Sequence, residues 1–343
     1  MSTNHPNWLV ITTISAPNDA VHQFIEQLSP AWSLVVVGDN KTPDAAWENA
    51  GVHYLSLQKQ HELFGDFAET APRNHYSRKN FGYLYAIMNG AQCILETDDD
   101  NYPYPDFGKQ QSAMLHGRLA GGGDWVNVYR HFTAEHIWPR GLPLDALTRT
   151  GTINPLDKPS NCPIQQFLVD CDPDVDAIYR LVFPTAAVTF EQGHAPVIMD
   201  KHTWVPFNSQ NTVFFHQALP LLYLPHFVTF RMTDIWRSFV AQCALWPFDA
   251  HIAFHSSTAK QLRNEHNLIQ DFEQEVPGYL DNRNIAEHLS KHMNTLSSKP
   301  ETDLLHMAEG LWHSMIDAGY IDEQERPLIT HWFNWCRKLH NSS

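Results

Sequence analysis

Short apolar runs alternate with helix-patterned segments over the first hundred positions. Trp8-Leu-Val-Ile-Thr-Thr-Ile reads as a buried strand that ends at Ser15-Ala-Pro-Asn-Asp, a helix-start signal. Helical spacing follows from Val21 to Leu28. Ser33-Leu-Val-Val-Val is a second buried strand running into the polar loop Gly38-Asp-Asn-Lys-Thr-Pro43, and Val52-His-Tyr-Leu is a third. From Arg78 to Asn89 the apolar positions Phe81, Leu84, Tyr85 and Met88 share one helical face, with Gly90 as the stop. Cys93-Ile-Leu-Glu-Thr is a fourth strand, closed by Asp98-Asp99-Asp100-Asn101. Repeated strand–helix–strand units predict a mostly parallel sheet with right-handed crossovers, flanked by helices. Ligands of such sheets bind at the carboxyl ends of the strands, where the loops 12–19, 38–43 and 98–101 all fall.

The pattern then changes. From about 103 to 233 the chain is rich in proline and aromatics with shorter strand-like runs, as suits the irregular second half, 103–260, of one domain spanning 1–260. Ile235 to Trp246 reads as a helix and His251-Ile-Ala-Phe as a short strand. Four helical stretches follow (Gln261 to Glu275, Asn284 to Leu296, Asp303 to Asp317, Glu323 to Leu339), predicting a helical C-terminal subdomain over 261–343.

Composition narrows the partners. Lys plus Arg is 23 against 38 Asp plus Glu, a formal net charge of -15 over 343 residues. A nucleic acid or an anionic membrane needs a cationic face, so neither is expected as a partner. The 21 histidines would reduce that charge below neutral pH. Five cysteines without a C-x-x-C pair fit no zinc pattern and read as free thiols of a reducing compartment. The stretch from His202 to Phe230 lacks Asp, Glu, Lys and Arg, but its three prolines and three histidines make it a buried segment of a soluble protein rather than a membrane span. No basic segment precedes an apolar run at the N-terminus, and the expected location is cytoplasmic.

The sharpest chemical feature is the triple aspartate. Adjacent carboxylates repel, and at a strand end they are tolerable when solvated or neutralised by a cation. Along extended backbone the first and third side chains point the same way, so Asp98 and Asp100 are placed to share one Mn²⁺ or Mg²⁺ whose shell a diphosphate completes. The plainer alternative is an acidic turn before Asn101-Tyr-Pro-Tyr-Pro. The segment from Arg78 through Asn101 sets cations at a helix start, small residues at Gly82 and Ala86, a strand, and then the carboxylates. It resembles nucleotide-sugar glycosyltransferases of the GT-A fold, with Arg78 and Asn80 opening the helix and a D-x-D closing the next strand. That resemblance implies donor phosphates held by Arg78 and the helix N-terminus, with Asn80, Asp98 and Asp99 in the donor site.

The resemblance narrows with VVVGDNKTP, RKNFGYLYAI, ETDDDN, WPRGLPL, DPDVDAIYRL, FNSQNTVF and VTFRMTDIWRS, seven motifs in order between residues 35 and 238, and a weaker continuation at Gln261-Leu-Arg-Asn-Glu-His266. Together they look like the STELLO-type glycosyltransferase family. The fold this implies is GT-A-like and Rossmann-type, with 1–102 as its nucleotide-binding half and 103–260 as its acceptor-side half; the activity it implies is transfer of a sugar from a nucleotide diphosphate sugar, UDP-sugar favoured, to an unidentified glycan or small-molecule acceptor. Asp39 and Lys41 end the second strand where such enzymes read the base, although Asp and Asn are also ordinary turn residues before Thr-Pro. Thr12, Thr13 and Ser15 at the first strand end are further donor-site candidates, as is Arg263 in the continuation. Thr233-Asp234-Ile-Trp-Arg237 resembles the Asp-then-Arg arrangement of inverting members, with Asp234 as the base that takes the acceptor proton. Asp234 also suits a helix N-cap, and Arg237 is placed to pair with it or with a phosphate. A late metal-ligating histidine is a GT-A feature, and His255 is the best placed here.

Other motifs are set aside. Asp172-Pro-Asp174-Val-Asp176 lacks the glycine and closing glutamate of a calcium loop and reads as a turn and cap, with acceptor binding as its functional alternative. Gly121-Gly-Gly-Asp124 lacks the Gly-Lys-Ser/Thr of a P-loop. Trp138, Trp204, Phe207, Phe214 and Phe215 are candidate sugar platforms, although such residues more often form core. The competing functions are a nucleotide-sugar mutase or nucleotidyltransferase on the same sheet, disfavoured because Ser15-Ala-Pro-Asn is no glycine-rich activating loop, and a non-catalytic nucleotide-sugar-binding scaffold.

Overall fold

The computed structural model describes residues 6–109, 112–122, 124–183, 187–262, 267–299 and 302–340. Its strands are β1 (Asn7–Thr12), β2 (Ser33–Val37), β3 (His53–Leu55), β4 (Cys93–Thr97), β5 (Asn101–Pro103), β6 (Met114–Leu115), β7 (Arg118–Gly121), β8 (Thr152–Pro155), β9 (Ser160–Asn161), β10 (Ile164–Asp170), β11 (Val197–Met199), β12 (Asn211–Phe215) and β13 (Ile252–Gln261). The α-helices are α1 (Asp19–Leu28), α2 (Leu57–Phe64), α3 (Asp66–Thr70), α4 (Lys79–Met88), α5 (Ala177–Val182), α6 (Thr233–Leu245), α7 (Leu268–Ser297), α8 (Leu304–Asp317) and α9 (Glu325–His340).

All but β6 and β9 join one eleven-stranded sheet in the order β3-β2-β1-β4-β12-β10-β13-β11-β7-β8, with β5 paired to β13. The first four strands are parallel, as their strand–helix spacing predicts. Beyond them the sheet is mixed: β12 runs antiparallel to both β4 and β10, and β10 lies parallel to β13. A parallel half continued through the reversed strand β12 is the GT-A-like arrangement expected, and a helical C-terminal region follows it.

The period of two along β1 explains how the sheet is covered. Trp8 and Val10 face one core with Val35, Phe81 and the C-terminal helices, while Leu9 and Ile11 face another with Phe24 and Leu28 of α1. Asn18 starts α1 by accepting from the Val21 N–H at 3.0 Å. Helix α4 sits very close to the sheet because residue 82 is glycine; a Cβ there would lie 2.6 Å from Val10 Cγ1 and 2.7 Å from Val37 Cγ2. The four strand boundaries hold to within two residues of their sequence reading. Helices α2 and α3 escaped it, being short and weakly periodic.

Two expectations are corrected. Of the helical stretches expected at Gln261–Glu275 and Asn284–Leu296, Gln261 instead ends β13, and Leu268–Glu275 and Asn284–Leu296 are parts of one helix, α7, which continues through Pro277. The strand read at His251–Phe254 extends to Gln261, because β10 and β5 both supply hydrogen-bonding edges for its extra residues. The uncharged segment after His202 is buried over most of its length, and no helix among the described residues is long and apolar enough to cross a membrane.

Candidate functional site

The carboxyl ends of β1, β2 and β4 open into a cleft of about 620 Å³. Thr12, Thr13, Ser15, Asp39, Lys41, Arg78, Asp98, Asp99, Asp100 and Asp234 all line it, so the structure brings most of the sequence-derived candidates together. The far wall comes from segments remote in sequence: Arg140, Asp174, Asn208 to Gln210, Phe230, Arg231 and Gln261.

Sheet register delivers those remote residues. Thr97 pairs with Asn211 across β4 and β12, which sets the Asn208–Gln210 loop beside the aspartates. Thr97 Oγ1 and Asn101 Nδ2 both donate to the Gln210 carbonyl, at 2.8 and 2.6 Å, and fix that loop. Gln261 pairs with Asn101 across β13 and β5, and its amide donates to Asp100 Oδ1 at 2.9 Å.

The three aspartates have three environments. Asp98 Oδ1 accepts from Tyr76 Oη at 2.8 Å and faces Lys79 Nζ at 3.4 Å. Asp99 Oδ2 accepts from Thr13 Oγ1 at 2.5 Å, and burial raises its pKa. Asp100 is pushed up to about 7, first by burial and then by the neighbouring Asp98 charge. Lys79 is the cation at this strand end: fully buried, it also donates to Tyr76 Oη at 2.7 Å and to the Thr97 carbonyl at 2.8 Å. Sequence reasoning named its neighbour Arg78; the doublet itself was the signal.

Arg78 lines the cleft with its guanidinium engaged inside the protein. Nε and Nη2 donate to Gln60 Oε1 at 2.8 and 2.6 Å, and Nη1 donates to the carbonyls of Ala71 and Pro72. Burial without a carboxylate contact lowers its pKa to about 10, leaving a fixed positive charge at the cleft wall. Asp39 accepts from the N–H groups of Asn40 and His75, at 2.7 and 3.1 Å, with its side chain at the cleft surface.

Asp234 is not the helix cap; Met232 occupies that position and α6 has no side-chain cap. Arg140 holds the carboxylate instead, through Nη1 to Oδ1 at 3.0 Å and Nη2 to Oδ2 at 3.1 Å. Ser209 adds its N–H at 3.1 Å and its hydroxyl at 3.0 Å, both on Oδ2. Burial opposes the charge, but Arg140 overrides it and holds Asp234 down at about 2. Oδ1 therefore keeps bonding capacity toward the cleft. Arg140 also grips Asp174 at 2.8 and 2.7 Å. The motifs WPRGLPL, DPDVD and FNSQN thus meet on one wall, and their order along the chain was the readable hint. Asp176 caps α5 by accepting from the Tyr179 N–H at 2.7 Å, which matches the turn-and-cap reading of that segment.

Three candidates lie elsewhere. Arg237 is fully buried and pairs with Glu96 at 2.9 and 2.6 Å, its guanidinium near the rings of Phe207 and Phe214. Its position one turn after Asp234 turns it toward the sheet core instead of the cleft. Asn80 uses both ends of its amide on the Leu224 backbone, at 2.8 and 2.9 Å, and does not line the cleft. His255 stacks on Phe167 at 4.3 Å and bonds Gln165 at 3.1 Å, with burial lowering its pKa to about 3. It stands at mid-strand in β13, away from the aspartates. Arg263 lies outside the described residues. The candidate platforms Trp138, Trp204, Phe207 and Phe214 are buried core.

The donor set fits a hard divalent cation. Asp98 and Asp100 offer oxygen ligands, and the raised pKa of Asp100 marks a carboxylate short of positive partners. Among the described residues no three His, Cys, Asp or Glu side chains converge on a metal position, so further ligands would come from a bound phosphate or water.

Residues 231–340 match the family model described as STELLO glycosyltransferases. Among curated proteins, "Probable glycosyltransferase STELLO2" of Arabidopsis thaliana is 29% identical over 273 residues, covering 73% of this chain and 35% of that protein. "Probable glycosyltransferase STELLO1" of the same plant is 28% identical over 274 residues, covering 74% and 35%. The chain thus spans about a third of the length of these relatives. Glucosyl-3-phosphoglycerate synthase from Mycobacterium tuberculosis, solved in complex with phosphoglyceric acid, aligns over 81% of this chain and 80% of its own at 12% identity and a TM-score of 0.44. The family model and the two plant proteins agree with the resemblance carried by the motifs: the chain is similar to the STELLO-type glycosyltransferases.

Proposed function

We propose that this chain transfers a sugar from a nucleotide diphosphate sugar, UDP-sugar favoured, to an acceptor hydroxyl, with inversion at the anomeric carbon. One observation carries the reading: two hydroxyls bridge the donor-side carboxylate and the acceptor-side one. Tyr76 Oη donates to Asp98 Oδ1 at 2.8 Å, Ser209 Oγ donates to Asp234 Oδ2 at 3.0 Å, and the two hydroxyl oxygens lie 2.7 Å apart. The two carboxylates therefore face one cleft, where donor and acceptor can be held together.

The roles follow from position. Asp39 and the Thr12–Ser15 loop bind the nucleoside, with Lys41 at the rim and the Arg78 charge favouring the diphosphate. Asp98 and Asp100 would hold a Mn²⁺ or Mg²⁺ ion, which when bound supplies charge neutralisation for the leaving diphosphate. Asp234 orients the acceptor hydroxyl through Oδ1 and takes its proton. A carboxylate held at about 2 is a weak base toward a free alcohol. The attacking oxygen, however, becomes strongly acidic as its bond to the anomeric carbon forms, so a late proton transfer to an ionised, fixed carboxylate suffices. Arg140 keeps that carboxylate ionised and aimed.

Donor turnover tests this directly. Release of UDP from UDP-glucose, UDP-galactose and UDP-N-acetylglucosamine is followed with Mn²⁺ present and with chelator. Metal-dependent release from at least one donor, abolished in Asp100→Ala, is the expected result. Absence of release, together with failure to bind any nucleotide, would contradict the reading.

A further inference from the structure

Two large apolar side chains in the cleft wall are exposed to solvent: Ile14 at 56% and Phe230 at 48%. Phe230 occupies the more telling position. It begins a 3₁₀ turn, Phe230–Met232, that runs directly into α6, and Phe230 and Asp234 both line the cleft. Its ring meets Tyr76 edge-on at 5.6 Å and His75 at 6.4 Å. Since Tyr76 bonds both Asp98 and Ser209, the aromatic surface stands where the donor and acceptor sides meet.

The polar atoms beside it have spare capacity. Asp234 Oδ1 accepts from Arg140 Nη1, with a lone pair left over. Arg231 commits Nε and Nη2 to Glu275, both at 2.8 Å, while Nη1 has no partner among the described residues. Arg140 and Arg231 are neutralised by Asp174, Asp234 and Glu275, so this wall carries no net positive charge for an anionic acceptor to use.

An apolar ring edged by one carboxylate oxygen and one guanidinium nitrogen complements a pyranose, which has a C–H face and a hydroxyl rim. We propose that Phe230 is the acceptor platform, and that the acceptor is a neutral pyranoside whose ring rests on Phe230 with hydroxyls toward Asp234 Oδ1 and Arg231 Nη1. The inference rests on the transferase reading and names its acceptor class.

Saturation-transfer NMR with UDP and Mn²⁺ present tests it, using cellobiose as the pyranoside probe and glycerol 3-phosphate as an anionic probe without a ring. Cellobiose contacts the wild type through its ring protons, weakens about 3- to 10-fold in Phe230→Ala, and recovers in Phe230→Trp. The UDP dissociation constant, measured in parallel, stays unchanged in both variants and reports that they are folded. Equal cellobiose binding in Phe230→Ala, or glycerol 3-phosphate binding in place of cellobiose, would overturn the platform. If UDP binds the wild type and cellobiose does not, the acceptor inference alone fails; if UDP does not bind, the transferase reading fails with it.

Discussion

The guanidinium of Arg140 spans both carboxylate oxygens of Asp234, 3.0 Å from Nη1 to Oδ1 and 3.1 Å from Nη2 to Oδ2, inside a wall that neither segment could build alone. That contact sets the charge of the candidate base. Asp234 falls from an ordinary 3.8 to about 2, so the stability it contributes is complete above pH 4 and is lost as pH falls through about 2. Arg140→Gln leaves Asp234 buried without the cation that spans it. The expected loss is about 3–5 kcal/mol at pH 7, shrinking as the pH is lowered and Asp234 protonates. Urea unfolding between pH 3 and 7 measures it; a pH-independent loss would refute the assignment.

Arg237 and Glu96 form a buried bidentate pair remote from the cleft lining. Arg237→Met strands the carboxylate and lowers stability by about 3–5 kcal/mol, while nucleotide affinity of the folded fraction stays at the wild-type value. Isothermal titration below the unfolding transition separates the two effects. A selective loss of nucleotide binding in a protein of unchanged stability would restore Arg237 to the site.

Lys79 neutralises Asp98 from within the core, with three contacts at 2.7, 2.8 and 3.4 Å. Lys79→Met removes a charged donor from a buried carbonyl and a hydroxyl, for an expected cost of about 2–3 kcal/mol. Without that charge the aspartates are more negative, so added Mn²⁺ raises the melting temperature of the variant more than that of wild type. A smaller Mn²⁺ response in the variant would contradict the neutralising role.

Asp176 has the opposite pH signature. Burial raises it to about 7, against 3.8 ordinarily, so the folded state binds the proton more tightly. Its contribution is most favourable below pH 4 and declines as pH rises from 4 to about 7. Asp176→Asn keeps an N-cap for α5 and flattens that part of the stability profile. A profile of unchanged slope in the variant would show that another group carries it.

The sequence was most legible where structure is local. Strands β2 and β4 match their apolar runs residue for residue, and the loops at their ends meet in the cleft as the strand–helix alternation requires. The contacts of the polar wall were not legible, because Ser209 and Gln261 are set beside the aspartates by the register of β12 and β13, and Arg140 beside Asp174 by the Pro139–Val175 bridge, which no local pattern encodes. Arg237 shows the same limit from the other side: helical spacing put it near Asp234 in sequence, and the rotation of α6 carried it to Glu96. Phe230 passed unremarked among many aromatics, since exposure separates a platform from a core residue and exposure is a tertiary property.

The proposed chemistry turns on the β1–β2–β4 cleft binding a nucleoside diphosphate with a divalent cation. A thermal-shift panel of UDP, GDP, CDP and ADP, with and without Mn²⁺, on wild type and Asp100→Ala tests it most directly. Ligand at about 100 times its dissociation constant adds about 2.7 kcal/mol of stability. A Mn²⁺-dependent upward shift with UDP that disappears in Asp100→Ala is the expected result. No shift with any of the four nucleotides, in a wild-type protein that unfolds cooperatively, would contradict it.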